Sequence, residues 1–550
     1  MKVRSTGWLA GIALAVATLG WGAPAAGQAP AAAEWHYRIA RGDTLIGLGH
    51  TYLVDPRQWV GLQRLNRITN PYRLVPGSVL RIPMAWVSQR ATLAEAAFVK
   101  GTATVQHGPA GAAEPLVAGV TLRAGDVLRT GSDGSATVRF ADGTRLIVVP
   151  DSAIALTHLL AMGKPGIPDI SMRLLEGTSE LRVPPTSAPT RRVEVRTPAV
   201  NLGVRGTEFR AGFDPAEQRS RLEVLDGRVA AEGAGRTVPV DAGLGVVVAA
   251  GQSVGAPQAL PEVPDLASAP ARVERVPLRV AWPAVPGAAA YRAQVFAQGA
   301  PDSLLLGGVF VAPEARWADL PDGAYVMHVR VRAAGGLEGR DALHPFVLKA
   351  RPEPPFTLRP VPAARSYGDA AALEWARVGV AERYRVQVSA RPDFAHPLLD
   401  RDDVDTARLA VPLPPGTYHW RVASVAAGGD RGPFGDALSF EQRPVPASPA
   451  LEAPQAGPGG LVFRWKAPDP GQTVHYQVAT DAAFTQLVAD ERASTNEGRI
   501  PAPAPGTYHL RARTIDTGGF EGPFGAAQQV DVPRSPWWML VPALTALFLL

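Results

Sequence analysis

The chain has 550 residues, too many for one hydrophobic core; at about 150 residues per domain it divides into roughly three to five. Its 55 basic and 50 acidic residues leave a net charge of +5, and lysine stands only at positions 2, 100, 164, 349 and 466. No basic block could track a phosphate backbone, so nucleic acid is not an expected partner. Cysteine is absent, which removes disulfides, thiolate metal sites, a cysteine nucleophile and any lipid-modified cysteine.

The N-terminus carries Lys2 and Arg4, then an apolar stretch from Gly7 to Leu19, then the small residues Ala23, Ala25, Ala26 and Gly27. This three-part layout reads as a secretory signal over residues 1–27, so the mature chain is expected in the periplasm or cell envelope. An uncleaved membrane anchor is the alternative, for which the apolar run is short.

Residues 35–86 follow as a small α+β unit. "WHYRIA" suggests a short strand, "GDT" a turn with Asp43 or Thr44 as helix N-cap, Leu45 to Leu53 and Pro56 to Leu65 two short helices, and "VPGSVLRIP" a turn and closing strand. The pattern Tyr37-x-Ile39, Gly42-Asp43-Thr44-Leu45, Leu65-Asn66, Leu74-x-Pro76-Gly77 and Leu80-x-Ile82-Pro83 resembles the LysM family of carbohydrate-binding modules. The resemblance implies a βααβ fold and a groove for N-acetylglucosamine in peptidoglycan glycan strands. Its walls would be Gly42, Asp43, Thr44 and Leu45 on one side and Asn70, Pro71, Tyr72, Leu74 and Pro76 on the other. Apart from the resemblance, Asp43 and Thr44 can simply cap the helix, and Asn70-Pro71 can simply make a turn. Gly47 and Gly49 sit inside the first expected helix, where each costs about 1 kcal/mol relative to Ala; they could leave room for a sugar ring.

Residues 96–256 read as punctuated strands. Ala136, Val138 and Phe140 alternate with Thr137 and Arg139, and Asp142-Gly143 and Asp226-Gly227 are hairpin signals. Only Asp151 to Met162 is expected to hold a helix. The run Gly125-Asp126-Val127-Leu128-x-Thr130, Asp142-Gly143-Thr144, Leu175-Glu176-Gly177, Thr197-Pro198, Val204-x-Gly206-Thr207-Glu208-Phe209 and Val224-x-Asp226-Gly227-x-Val229 resembles the periplasmic FecR domain. Regulators of that family begin with a cytoplasmic anti-sigma segment and a membrane span, and this chain does not. The resemblance therefore implies a β scaffold or sensor that contacts an envelope protein partner.

A Pro-rich linker at 257–274 leads into three repeats, 275–350, 355–442 and 448–532. Trp282, Trp375 and Trp465 head them; "AYRAQV", "RYRVQV" and "HYQVAT" follow, then "PDGAYVMHVRV", "PPGTYHWRVAS" and "APGTYHLRART". This period implies consecutive β-sandwiches that look like fibronectin type III or immunoglobulin-like modules. The apolar run 536–550 ends the chain, with Trp537 and Trp538 at its start; it reads as a membrane contact or as a segment docked on the last domain.

No catalytic constellation survives its context. Gly251-Gln252-Ser253-Val254-Gly255 has nucleophile-elbow spacing, but Pro257 and Pro261 oppose the helix it needs. Asp400, Asp402, Asp403 and Asp405 lack the glycine and glutamate of a calcium loop, and the histidines never pair at zinc-hydrolase spacing. Glu176 and Glu180 could share a strand face, but this alone does not make a glycosidase. The fold class expected is multi-domain and mainly β. The function expected is a non-enzymatic envelope protein, without metal or cofactor, that binds peptidoglycan through the LysM-like unit. A periplasmic signalling role through the FecR-like domain is the first alternative and a cell-wall hydrolase accessory the second.

Overall fold

A computed structural model of the chain describes residues 34–185, 192–204, 206–457, 460–501 and 503–534. The expected export signal (1–27) and apolar C-terminal run (536–550) lie outside these residues. Contacts divide the chain into two compact units, one running to Ala271 and including Arg279–Trp317 and Ala324–Phe346, the other holding Arg272–Leu278, Ala318–Gly323 and everything from Val347 onward. No helix among the described residues is long and apolar enough to cross a membrane.

The first unit opens with a strand at Glu34–Arg38 that pairs antiparallel with Val79–Pro83, Tyr37 facing Leu80. Between them lie helices Leu45–Tyr52 and Trp59–Leu65, the second entered through a 3-10 turn at Pro56–Gln58. The order strand, helix, helix, strand is the one read from the sequence. Its core is Tyr37, Ile39, Leu45, Leu48, Leu62, Leu80 and Ile82. Asn66 fastens the second helix to the closing strand, donating to Arg81 O at 2.8 Å and accepting from Arg81 N at 2.7 Å.

The two glycines of the first helix have different local reasons. A β-carbon at Gly47 would stand 3.0 Å from the Thr44 Oγ1 that caps the helix. Gly49 is buried, and a β-carbon there would stand 2.7 Å from Pro56 O and 3.2 Å from Trp59 Cβ. It lets the helix lie directly on the 3-10 turn, so its surroundings are protein rather than an open groove.

Residues 89–259 form one closed β array. Its organiser is the strand Ile167–Arg182, whose first half pairs with Ser152–Met162 and with Arg192–Arg196, while its second half pairs with Arg145–Val148 and Glu208–Asp214. One strand thus belongs to two sheets and ties them around a core that includes Leu146, Ile154, Leu174, Leu181, Phe209 and Leu222. The helix expected over Asp151 to Met162 is instead the strand Ser152–Met162. The segment pairs on both edges, with Ile167–Arg182 and with Val127–Thr130 and Gln89–Ala91, and most of its side chains are buried on both faces, so strict alternation is lost. The turn between these long strands reaches the small module: Met162 and Ile167 join its core, Lys164 N donates to Thr51 O at 2.9 Å and Gly163 N to Ser88 O at 2.8 Å.

Most of the first repeat also belongs to this unit. Its strand Ala288–Ala297 lies between Leu304–Phe310 and Gly323–Ala333. In the second unit the same arrangement recurs twice, Ala381–Ser389 between Leu399–Val404 and Gly416–Ala426, and Thr473–Ala479 between Leu487–Ala493 and Gly506–Ile515. The repeated tryptophans are buried, as Trp375 and Trp465 illustrate at 2% and 1% exposure. Tyr418 and Tyr508 each donate to a carbonyl four residues back, Pro414 O at 2.9 Å and Ala504 O at 2.8 Å. The second and third sandwiches meet where Tyr367 stacks on Phe520 at 3.9 Å and its hydroxyl donates to Asp516 at 2.5 Å.

Gly49→Ala should destabilise the N-terminal module by about 1–3 kcal/mol through overpacking, against the gain that helix propensity alone would give. Chemical denaturation followed by tryptophan fluorescence measures the sign.

Candidate functional site

The loops singled out from the sequence do meet. Leu45 N, at the start of the first helix, donates to Pro71 O at 2.9 Å, so the 42–45 turn and the 70–76 loop are bonded directly to each other. The side chains on the first wall are largely engaged. Asp43 accepts from Tyr37 OH at 2.8 Å and from Ala40 N at 2.7 Å, Thr44 caps the helix, and Leu45 is fully buried. Burial and Asp43 together hold the Tyr37 phenol protonated far above its usual range. Gly42 is exposed. On the second wall Asn70 Oδ1 accepts from Tyr72 N at 3.0 Å, Pro71 and Leu74 are half-buried, and Pro76 is exposed. Tyr72 is 68% exposed and is the free aromatic face of this region.

A cavity of about 610 Å³ lies elsewhere in the same unit, between the Glu34–Arg38 strand and the β domain. The strands Ile167–Arg182, Arg192–Arg196, Asn201–Val204 and Arg228–Gly233 supply Asp169, Glu194, Asn201 and Glu232 to its wall. Glu194 is buried, and although desolvation opposes its charge, Arg196 and Arg192 hold its pKa below the ordinary value. Asp169 is pushed the other way by burial, against the attraction of Arg192 and His158.

A third feature has no counterpart in the sequence reading. Where the β domain meets the first repeat, Arg210, Arg330, Glu223 and Glu338 are buried to 1% exposure or less. Arg330 donates to Glu338 at 2.7 Å, Glu180 at 2.6 Å, Asp341 at 3.0 Å and Gln294 at 2.8 Å. Arg210 reaches Asp341 at 2.5 Å and Gly339 O at 2.7 Å; Arg292 reaches Glu338 at 2.9 Å; Glu338 N donates to Glu223 at 3.1 Å. Ion pairs out of water survive only when each charge is answered. Desolvation works against every member, yet the arginines hold Glu338 well below the carboxylate range and Asp341 at about 2. Glu223 is the exception: burial raises it to about 6, Arg221 notwithstanding. Around this network Ser135 Oγ donates to Leu304 O at 2.6 Å, Thr137 Oγ1 to Asp302 O at 2.7 Å, and Val149 packs with Phe296 and Leu304.

The other acidic residues singled out from sequence are tied to arginines. Asp400 pairs with Arg385 at 2.7 Å, Asp403 with Arg401 at 3.0 Å, Asp402 with Arg431, and Glu176 with Arg129 at 3.0 Å. Glu180 does not share a site with Glu176; it turns into the buried network. Gly251 to Gly255 leave the strand Leu244–Ala249 in an irregular segment.

The network could have been detected by aligning the repeats. Gly-Pro-Phe-Gly places Phe434 4.3 Å from Arg421 in the second repeat and Phe524 4.3 Å from Arg511 in the third. The first repeat has Gly339-Arg340-Asp341-Ala342 there, so a carboxylate replaces the phenylalanine. Likewise Asp400 and Asp490 correspond to Gly307, whose missing side chain leaves room for Pro150 of the β domain, 3.4 Å from where a β-carbon would stand.

These strands coincide with a known family. Residues 126–230 match the family model described as FecR protein. The FecR domain thus lies within the closed β array that carries Arg210 and Glu223. Among solved structures, two crystal structures of a protein from Parabacteroides distasonis described as a "putative anti-sigma factor" align at 13% and 14% identity with TM-scores of 0.21. They cover 24% of this chain, and the chain spans 59% of theirs. The FN1-FN3 domains of chicken CNTN1 align at 14% identity and TM-score 0.23, covering 46% of this chain and 94% of that one. The fibronectin(III)-like modules of Clostridium thermocellum CbhA align at 13% identity and TM-score 0.22, covering 32% and 93%.

Arg330→Met should cost about 3–5 kcal/mol because it leaves Glu180 without its ion-pair partner and takes one of the cations from Glu338 and Asp341. Arg228→Met, at the exposed pair with Asp241, should leave the melting curve unchanged. Glu223 has its folded pKa raised from 4.5 to about 6, so it takes stability away as pH rises through that window. Glu223→Gln should therefore be more stable than wild type at pH 7.5, by on the order of 1 kcal/mol, and the difference should vanish below pH 4.5. Melting temperatures across this pH range check the sign.

Proposed function

We propose that the chain is a non-catalytic binding and signalling protein of the bacterial cell envelope, working through its FecR domain on an envelope protein partner. The match of residues 126–230 to FecR protein carries this reading. The buried network supports it mechanically. A β domain locked to the next repeat can pass a displacement at one surface to the other without dissipating it in a hinge. The signal-like layout of residues 1–27 supports an activity outside the cytoplasm, and the apolar run 536–550 would hold the chain near a membrane.

The N-terminal module carries a second reading, anchorage to peptidoglycan glycan. The direct Leu45 to Pro71 hydrogen bond favours it, because it sets the two expected walls side by side with Tyr72 exposed between solvent and the loop. Affinity from one such module is modest, and a membrane tether would raise its local concentration.

Photo-crosslinking groups placed on the FecR domain of the full chain should capture one envelope protein in cells, and groups on the third sandwich should not. Equal capture from both positions, or a cleared band on a peptidoglycan zymogram, would overturn the reading. For the module, Tyr72→Ala should lower co-sedimentation with purified peptidoglycan several-fold while leaving the fold intact. Asp43→Ala is a poorer probe, because it also removes the partner of Tyr37.

A further inference from the structure

The cavity of about 610 Å³ between the Glu34–Arg38 strand and the FecR domain falls within the range that holds a small ligand. Its charges are unequally answered. Glu194 is held by Arg192 at 3.0 Å and Arg196 at 3.0 Å. Arg228 is paired with Asp241, and Glu34 lies 3.7 Å from His36 and 4.0 Å from Arg81. Asp169 is different: it is only 7% exposed, lines the cavity, and its side chain makes no hydrogen bond or ion pair among the described residues, feeling Arg192 and His158 only at longer range. Asn201 Oδ1, on the same wall, is a buried acceptor without a donor. Glu232, also on the wall, has no ion-pair partner among the described residues. Burying an acceptor without a donor is costly, and burying a carboxylate without a cation more so.

We propose that this cavity is a binding site for a small molecule bearing a free primary ammonium group, with Asp169 as its counter-ion and Asn201 Oδ1 as a second acceptor. The ammonium donates three hydrogen bonds and carries one positive charge, which is what these two acceptors lack. Glu232 at the exposed side adds attraction for the approaching cation. An anion is disfavoured, because Arg192 and Arg228 are already paired within the protein. The site rests on the proposed sensing role only in giving it a ligand; it is independent of glycan binding by the 42–45 and 70–76 loops.

Isothermal titration of the full chain with D-glucosamine, lysine and 1,5-diaminopentane, and with N-acetylglucosamine as the matched compound lacking the charge, tests it. At least one of the amines should bind, and N-acetylglucosamine should not displace it. Asp169→Asn should weaken amine binding at least tenfold, and Glu232→Gln, at an exposed position that does not threaten folding, several-fold. Failure of all three amines to bind would overturn the proposal, as would unchanged affinity in Glu232→Gln and Asp169→Asn. Binding of N-acetylglucosamine equal to that of glucosamine would also overturn it, while leaving the peptidoglycan reading standing. Loss of envelope crosslinking from the FecR domain would instead strike the signalling role and leave this site untouched.

Discussion

Arg330 has no exposure to water, and its guanidinium is answered by carboxylates from two different folding units of the sequence. Glu338 and Asp341 come from its own repeat, whereas Glu180 comes from the strand that joins the two sheets of the β domain. Arg210 crosses in the opposite direction to Asp341. Either surface alone would present charges selected for the company of the other. The desolvation cost is met only when both are in place, so the junction behaves as an all-or-none contact. The rest of the first unit follows from this constraint, including the hydrogen bonds from Ser135 and Thr137 and the small apolar plug of Val149, Phe296 and Leu304.

The repeats show how the junction could arise from an ordinary sandwich. In the second and third repeats, the glutamine after the repeated tyrosine accepts from an arginine, as Gln387 does from Arg421 at 2.8 Å and Gln477 from Arg511 at 2.9 Å. Phenylalanines then cover those arginines. In the first repeat Gln294 still accepts from an arginine, Arg330, but the covering phenylalanine is gone. Asp341 occupies its place and the FecR domain covers the face instead. The self-covered surface of the second and third repeats is a docking surface in the first, which differs from them at a handful of positions, among them Gly307 where they have an aspartate.

The small N-terminal module was almost fully legible, because Thr44 caps, Pro76-Gly77 turns and the alternating Leu80 and Ile82 are local signals. The sandwich repeats were legible through their period. The strand Ser152–Met162 was not, because burial on both faces removes the polar–apolar alternation that marks a half-exposed strand. The candidate loops lie side by side through the Leu45 to Pro71 hydrogen bond, yet the engagement of their side chains was not visible in the sequence. Asp43 and Leu45 were expected on one wall of the groove; Asp43 is the partner of Tyr37 and Leu45 is core. Gly49 is explained by the close approach of Pro56, which no single-sequence pattern encodes. The ion network has no local signal because its members are spread from Glu180 to Asp341, and comparison among the repeats exposes only the departures in the first repeat, Gly307 and Asp341.

The central claim is that the FecR domain and the first repeat form one cooperative body through Arg330. Hydrogen exchange read by mass spectrometry on the intact chain addresses it directly. The strands Ile167–Arg182, Glu208–Asp214 and Gly323–Ala333 should share one opening free energy, and Arg330→Met should lower protection in all three together. Loss of protection confined to Gly323–Ala333, with the two FecR-domain strands unchanged, would contradict the account.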